Sequence, residues 1–321
     1  MVLLLGLAWG FGALWFDFPL AGFRHWLAWL LVVAALTALA FVRPRWPVKL
    51  EILGVLSLIA LWWLTLQPKE DRNWQPDVAR TAWAEIHGND VTLHNVRNFG
   101  YRTETDYIQR WETRTVDMSQ LAGLDLAITF WGSPWMAHPI ASFRFDDAPP
   151  VCFSIEVRKV VGQEFSTLAS LYRQAQLIYI VADERDVIRL RSNYRHGEDV
   201  YLYHTVATPE QARERFLEYL AVLNSLRARP RWYNVITTNC TTSIREQRPV
   251  GERMPWDWRI LLNGKADEML YEHRLIATDN LPFGELKDLS LINVRARAAD
   301  KDPEFWRRIR QGTPGFLEGS Y

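Results

Sequence analysis

Cys240 lies where a cysteine could act as a nucleophile. It follows the extended apolar stretch 233–236 and the run Thr237-Thr238-Asn239, and it opens a segment of helical character. Asn239 is a favourable N-cap residue, because its side-chain oxygen can accept a free backbone N–H of the first turn. Cys240 would then be the first helical residue, where the positive end of the helix dipole favours a thiolate. The alternative is a small buried hydrophobic residue, the ordinary role of a cysteine.

A cysteine nucleophile needs a base, normally a histidine that the fold brings close. The chain has seven histidines, and His138 has the most distinctive setting. It follows an aromatic and small-residue run, 130–137, and precedes the strand-like alternation 140–145. A turn at 146–150 leads to a second strand, 151–158, so the two segments predict an antiparallel hairpin. His138 is otherwise an ordinary strand-end histidine.

Glu156 is the candidate orienting group for that histidine. If the hairpin is symmetric about Ala148, His138 lies opposite Arg158 and Glu156 is its diagonal neighbour on the same face. A carboxylate beside the imidazole would orient the ring and stabilise its charged form. Ser154 has the same parity and is the second candidate for this position. Glu156 could equally be a solvent-exposed strand residue that does not contact His138.

The two cysteines allow another reading of the same residues. In an oxidising compartment Cys152 and Cys240 could form a disulfide, since both lie on elements that are expected to meet. A structural disulfide would remove the nucleophile.

The order of a histidine strand, a polar strand and an Asn-Cys helix resembles the circularly permuted papain-like thiol enzymes, which include the lecithin-retinol acyltransferase group. The sequence is more similar to a bacterial family named for the Lnb lipoprotein N-acyltransferase, as its periplasmic domain. The resemblance covers about residues 70 to 320, and the segments that carry it are 131–138, 153–159, 181–191 and 239–242. It implies a permuted papain-like α+β fold and an acyltransferase that uses a phospholipid acyl donor and a lipoprotein N-terminus as acceptor.

Residues 1–66 predict a bundle of about three transmembrane helices. Segments 1–16, 25–42 and 52–66 are almost wholly apolar and near the length of a bilayer span, with tryptophans at their ends. Arg43, Arg45 and Lys49 crowd the second link, which the positive-inside rule places in the cytoplasm. The chain after residue 66 would then lie outside the inner membrane, in the periplasm of a Gram-negative cell. A buried soluble helical hairpin is the alternative.

The rest of the chain predicts a linker, 67–80, and a domain, 81–321, that mixes antiparallel strands with segregated helices, an α+β arrangement. We expect hairpins at 83–96 and 187–203, helical character at 164–175 and a helix at 209–226 that Thr208 caps. Lys plus Arg and Asp plus Glu both total 37, so no net charge directs the chain to nucleic acid. The sequence has no metal-ligand spacing or phosphate-binding glycine loop, and we expect no metal or cofactor.

Four arginines between residues 185 and 195 could bind a phosphate group, because guanidinium pairs with phosphate in a bidentate way. Arg189 and Arg191, with Asn239, are therefore the candidate substrate-binding residues. The alternative is a solvated hairpin face with ordinary ion pairs.

Three functions fit these residues. In the first, the Cys240 thiolate attacks a phospholipid ester, and His138 acts as base and then as acid. Backbone N–H groups at the helix start stabilise the oxyanion, and an amine then accepts the acyl chain. In the second, the same site is a periplasmic cysteine amidase or peptidase acting on cell-wall peptide. In the third, the chain is a non-catalytic, membrane-anchored binding module, with Cys240 buried or bonded to Cys152 and His138 far away.

Overall fold

The computed structural model describes residues 1–253 and 255–316. The first 65 residues form three apolar helices, α1 (Val2–Asp17), α2 (Arg24–Phe41) and α3 (Arg45–Thr65). By length and composition, α2 and α3 could cross a membrane, whereas α1 is shorter. Most of the large side chains of α2 and α3 are exposed, as expected of helices whose apolar surface faces lipid.

The rest of the described chain is built around one sheet of eight strands. The strands of this sheet and of a separate two-stranded ribbon are, in chain order, β1 (Trp83–His87), β2 (Asp90–Arg97), β3 (Gly100–Tyr101), β4 (Tyr107–Ile108), β5 (Trp111–Asp117), β6 (Leu121–Trp131), β7 (Ala137–Phe145), β8 (Val151–Arg158), β9 (Gln176–Asp183) and β10 (Glu198–His204). The order is β1-β2-β9-β8-β7-β6-β10, β5 pairs with β2, and β3 and β4 form a separate ribbon. The sheet is mixed, because β2 runs parallel to β9 while its other ladders are antiparallel.

The helices lie on both sides of this sheet and at one end of it. They are α4 (Glu184–Arg189), α5 (Pro209–Ala228), α6 (Cys240–Glu246), α7 (Ala266–Glu272), α8 (Phe283–Ser290), α9 (Asn293–Ala298) and α10 (Phe305–Arg308). The sequence-based α+β assignment is therefore confirmed. Thr208 caps α5 as predicted, and its hydroxyl accepts a hydrogen bond from the Gln211 backbone N–H at 3.3 Å.

Two apolar cores cover the two faces of the sheet. On one face, Phe216 of α5 packs edge-on against Phe143 and Phe153, with ring centres 5.0 and 5.8 Å away. Full burial of such a ring contributes roughly 1.5–3 kcal/mol. On the other face, Ile292 and Phe305 of the C-terminal segment pack with the buried aliphatic residues of β9 and β10. The sheet is thus held rigidly from both sides, which fixes the strand ends that carry the site.

Two predicted elements are wrong. Residues 187–203 are not a hairpin, because α4 and a π-helical turn, Leu190–Tyr194, occupy the first half and only β10 is extended. Asp183 starts α4, since its carboxylate accepts from the Arg185 backbone N–H at 2.9 Å, an N-cap that outweighs the strand propensity of the apolar residues that follow. Residues 164–175 are mostly loop, with one short 3₁₀ turn at Ala169–Leu171.

Residues 67–80, predicted as a linker, pack against the domain. Trp74 is buried, and the Arg158 guanidinium lies 4.3 Å from its ring centre. Arg158 also pairs with Glu70 at 2.6 Å and donates to the Val78 carbonyl at 3.0 Å. The helices are therefore joined to the sheet by an ordered segment.

Candidate active site

Asn239 and Cys240 start helix α6 in the arrangement that the sequence predicts. The side-chain oxygen of Asn239 accepts a hydrogen bond from the Thr242 backbone N–H at 2.8 Å. In return, the Thr242 hydroxyl accepts a hydrogen bond from the Asn239 backbone N–H at 2.9 Å. The Asn239 side-chain NH₂ donates to the Val235 carbonyl at 2.8 Å. This amide therefore holds the Cys240 turn. Asn239 also lines the cavity that contains Cys240, and its contact with substrate stays a prediction.

The β7–β8 register brings His138 to Glu156 more directly than predicted. The ladder pairs Phe143 with Val151 and Ile140 with Ser154, and continuing it places His138 opposite Glu156. The prediction of symmetry about Ala148, with Arg158 opposite His138, is wrong by two residues. The connection is longer than predicted, because Val151 pairs with Phe143 and not with Phe145, so residues 144–150 span it. Pro149 and Pro150, which have no N–H to donate, lie in this connection.

A short chain of hydrogen bonds holds the imidazole of His138. Its Nε2 lies 2.7 Å from the Ser154 hydroxyl and 3.2 Å from Glu156 Oε1. Ser154 donates its own proton to Glu156 Oε1 at 2.7 Å, so its oxygen accepts from Nε2–H. The Nε2 nitrogen is therefore the protonated one, which leaves Nδ1 as the basic nitrogen. The Cys240 thiol lies close enough to this ring to raise the pKa of His138, and both residues line the same cavity, so the ring lies between the thiol and the carboxylate.

The charges around His138 favour its protonated form. Burial lowers the pKa of His138 and the Arg191 guanidinium lowers it further, but the Glu156 carboxylate and hydrogen bonds to Cys240 and Glu156 outweigh both, so the pKa lies above its ordinary value. Burial raises the pKa of Glu156, but His138 and Arg191 hold it well below its usual range. Glu156 is thus a permanent anion that stabilises an imidazolium.

Arg191 positions Glu156. Its two terminal nitrogens bind Glu156 at 3.0 Å and Glu198 at 3.2 Å, and the side chain is almost fully buried. The structure therefore brings Arg191 to the site as a partner of the Glu156 carboxylate, and its contact with substrate stays a prediction. Arg189 points elsewhere and donates to the Asp300 carbonyl in the C-terminal segment at 2.6 Å. The solvated hairpin face that was the alternative for these arginines is not formed.

Asn263 is a site residue that the sequence analysis missed. Its side-chain NH₂ lies 3.3 Å from the Cys240 sulfur, and its side-chain oxygen accepts from the Ala137 backbone N–H at 2.9 Å. Gly264 makes this approach possible, because a Cβ there would lie 2.4 Å from the Pro134 carbonyl oxygen. The only signal in the sequence was an Asn-Gly pair, which reads as a turn.

Cys152 is separate from this site. It lies in the core on the face of the sheet that packs against the C-terminal segment, whereas Cys240 belongs to the other core. Both thiols are free, so the disulfide alternative is wrong. Burial and the nearby Glu184 raise the pKa of Cys152 well above its ordinary value, so this cysteine stays protonated and unreactive.

A cavity of about 340 Å³ opens onto Cys240 and His138, within the size range of small-molecule sites. Part of its wall is apolar and part is charged. The apolar part includes Trp131, Met136, Phe165 and Leu261, and the charged part includes Lys159, Arg191, Arg195 and Glu198. In the described parts of the chain no cluster of three His, Cys, Asp or Glu side chains could hold a metal ion.

Comparison with known protein families relates part of the chain to one of them. The family model of the Lnb N-terminal periplasmic domain matches residues 107–264, a segment that runs from β4 through His138, Ser154, Glu156 and Cys240 to Asn263 and Gly264. Comparison with curated proteins and with solved structures returned no significant match. With the apolar helices α2 and α3, the match indicates a membrane-anchored protein with a periplasmic domain. Over residues 107–264, about half of its length, the chain is thus similar to the Lnb N-terminal periplasmic domain family.

Proposed function

We propose that the chain is an inner-membrane acyltransferase that works through a thioester on Cys240, with its catalytic domain in the periplasm. The observation that carries the proposal is the contact of the thiol with an imidazole whose far side is held by Ser154 and Glu156. A nucleophile, a base and an anion that orients the base are the parts that covalent acyl transfer needs.

The acylation step follows from the tautomer of His138. Nδ1 takes the proton of the Cys240 thiol, and the sulfur attacks the ester carbonyl of a phospholipid acyl chain. The ester C–O bond then breaks, the imidazolium returns the proton to the departing alcohol, and the acyl chain remains on Cys240 as a thioester. The Asn263 NH₂, which already donates to the sulfur, is placed to stabilise the oxyanion of the intermediate.

In the second step an amine attacks the thioester carbonyl. His138 accepts the amine proton, the C–S bond breaks, and Cys240 leaves as the thiolate with an amide as the product. We propose a lipoprotein N-terminus as the acceptor, by the family resemblance. The membrane anchor supports both steps, because two lipid substrates and the enzyme are confined to one surface and their effective concentration rises.

The order of the elements supports a permuted papain-like arrangement. The histidine strand β7 and the polar strand β8 come before the cysteine helix α6 in the chain, as the resemblance implies. The charged part of the cavity wall, with Lys159 and Glu198, favours one competing function, a cysteine amidase or peptidase acting on cell-wall peptide. A non-catalytic module is disfavoured, because the Cys240 thiol is free and contacts His138.

The acyltransferase and the amidase can be distinguished by the peptide substrate that the protein uses. The full-length protein in detergent would be given phospholipid with a labelled acyl chain and, in parallel, a diacylated lipopeptide or a cell-wall peptide. We expect a labelled amide on the lipopeptide, absent with Cys240→Ala, and intact cell-wall peptide. Cleavage of the cell-wall peptide without acyl transfer would contradict the proposal in favour of the amidase.

A further inference from the structure

The ends of helices α1 and α3 bind one specific part of the sheet domain, the segment 170–176. Asp17, the last residue of α1, accepts from the Arg173 backbone N–H at 3.1 Å and from the Gln174 side-chain NH₂ at 2.6 Å. The Tyr172 ring stacks on Phe16 with centres 5.1 Å apart. Its hydroxyl occupies the space that a Cβ at Gly12 would need. This joint fixes which side of the domain faces the membrane surface.

The loop before Cys240 belongs to the same side. Trp232 donates from its ring N–H to the carbonyl of Leu66, just after α3, at 3.2 Å. Asn234 donates from its side chain to the Leu171 carbonyl at 3.0 Å, and the Val235 backbone N–H donates to the Ser170 carbonyl at 3.2 Å. The loop that positions the candidate nucleophile is therefore built directly onto the helix–domain joint.

Large apolar side chains are exposed beside this joint. Leu168 is 61% exposed, Ile236 at the tip of the Cys240 loop is 52% exposed, and Phe165 is 44% exposed. Phe165 also lines the cavity that contains Cys240. Exposed apolar groups that adjoin one another and a cavity mark an interaction surface. We call Phe165, Leu168 and Ile236 the apolar rim.

We infer that the apolar rim rests on the outer surface of the membrane that α2 and α3 span, and that an acyl chain enters the cavity across it from that leaflet. A lipid surface is the occupant that the structure favours, because the rim residues lie within a few residues of the segments that are hydrogen-bonded to the ends of the apolar helices. The lipid-entry part rests on the proposed function, whereas the contact of the rim with the membrane does not. A rim in this position implies that the substrates of the site are lipids held in a bilayer.

The contact itself can be tested without any activity. Leu168→Cys in a Cys240→Ser background would carry an environment-sensitive dye, and the full-length protein would be placed in lipid nanodiscs containing a spin-labelled quencher lipid. Cys152 is fully buried and does not compete for the dye. Interfacial side chains reach roughly 5–10 Å into the headgroup boundary, so we expect about two-fold quenching. The matched control is Ile108→Cys on β4, which is 59% exposed and should be unquenched. Equal quenching at both positions, or none at Leu168, would overturn the inference.

A second arm tests lipid entry. Leu168→Asp should lower the acylation of Cys240 from vesicle phospholipid about ten-fold, because membrane binding scales with buried apolar area. It should leave the reaction with a water-soluble short-chain thioester unchanged, as should Ile108→Asp with either substrate. Equal loss with both substrates would overturn the entry route. Quenching at Leu168 without any acylation of the native chain would keep the membrane contact and contradict the proposed function instead.

Discussion

His138 has a different partner on each side of its ring, and this division determines what the site can do. The Ser154 hydroxyl and the Glu156 carboxylate accept hydrogen bonds from Nε2–H. The other ring nitrogen, Nδ1, is therefore the basic one and is free to accept the thiol proton. Arg191 holds the same carboxylate from behind. Because Glu156 stays ionised, it favours the imidazolium that forms when Cys240 loses its proton.

Replacing Glu156 tests this arrangement through pH. The pKa of His138 is raised in the native protein. His138 must be neutral to take the Cys240 proton, so activity is present above this pKa and is lost as pH falls through it. Glu156→Gln removes the charge and lowers the pKa, and the acid limb of kcat/KM should move to lower pH by about one unit. Ser154→Ala keeps the carboxylate and should move the limb less. An acid limb that stays in place in Glu156→Gln would show that Glu156 does not act on His138.

Asn263 is predicted to act in the transition state. Asn263→Ala removes the donor at the Cys240 sulfur, and kcat should fall about 100-fold with little change in KM, in line with the loss of one oxyanion donor. Lys265→Ala, on the same 3₁₀ turn (Asn263–Lys265), is the control and should retain full activity. An unchanged kcat in Asn263→Ala would remove this residue from the mechanism.

At the scale of elements, the capping boxes of α5 and α6 have the same hydrogen-bond pattern but different consequences. Thr208 caps a 20-residue helix that packs on the sheet, and Asn239 caps a seven-residue helix that carries Cys240. Both caps were readable in the sequence, because an N-cap is a local signal. The π-helical turn that carries Arg191 was not, because distant and partly buried partners on other elements, Glu156 and Glu198, pair with its charge.

The two caps provide a matched pair of variants. Asn239→Ala and Thr208→Ala should each lower the free energy of unfolding by about 1 kcal/mol, seen as similar falls in the unfolding midpoint. Only Asn239→Ala should also lower kcat/KM, because Asn239 fixes the turn at Cys240 as well as its helix. Equal activity of the two variants would contradict a positioning role for Asn239.

At the scale of the whole molecule, the C-terminal segment is locked into the sheet by a buried charge cluster. Arg310 is fully buried and pairs with Asp125 of β6 at 2.8 Å and with Glu184 at the start of α4 at 2.6 Å. No local pattern predicts this cluster, because Arg310 lies more than 100 residues from each of its two partners. The same holds for Asn263, whose partner Ala137 lies 126 residues earlier. Local signals located Cys240, His138 and Glu156, but contacts across the fold decide what surrounds them.

Removing the buried arginine should be costly. Arg310→Met leaves Asp125 and Glu184 buried without their partner, and the protein should lose about 3–5 kcal/mol of stability. Arg308→Met breaks a surface pair with Asp302 and should lower the unfolding midpoint far less, because water screens such pairs. Thermal unfolding of the two purified variants would measure the difference. Equal unfolding midpoints would show that the buried cluster does not hold the C-terminal segment.

The central claim is that Cys240 carries an acyl chain, and the most direct measurement is the intact mass of the detergent-purified protein after incubation with phospholipid. We predict a mass gain equal to one acyl chain in the native chain, removed by hydroxylamine, and no gain in Cys240→Ala. A native chain that gains no mass while its Cys240 thiol remains free, or the same gain in Cys240→Ala, would contradict the account.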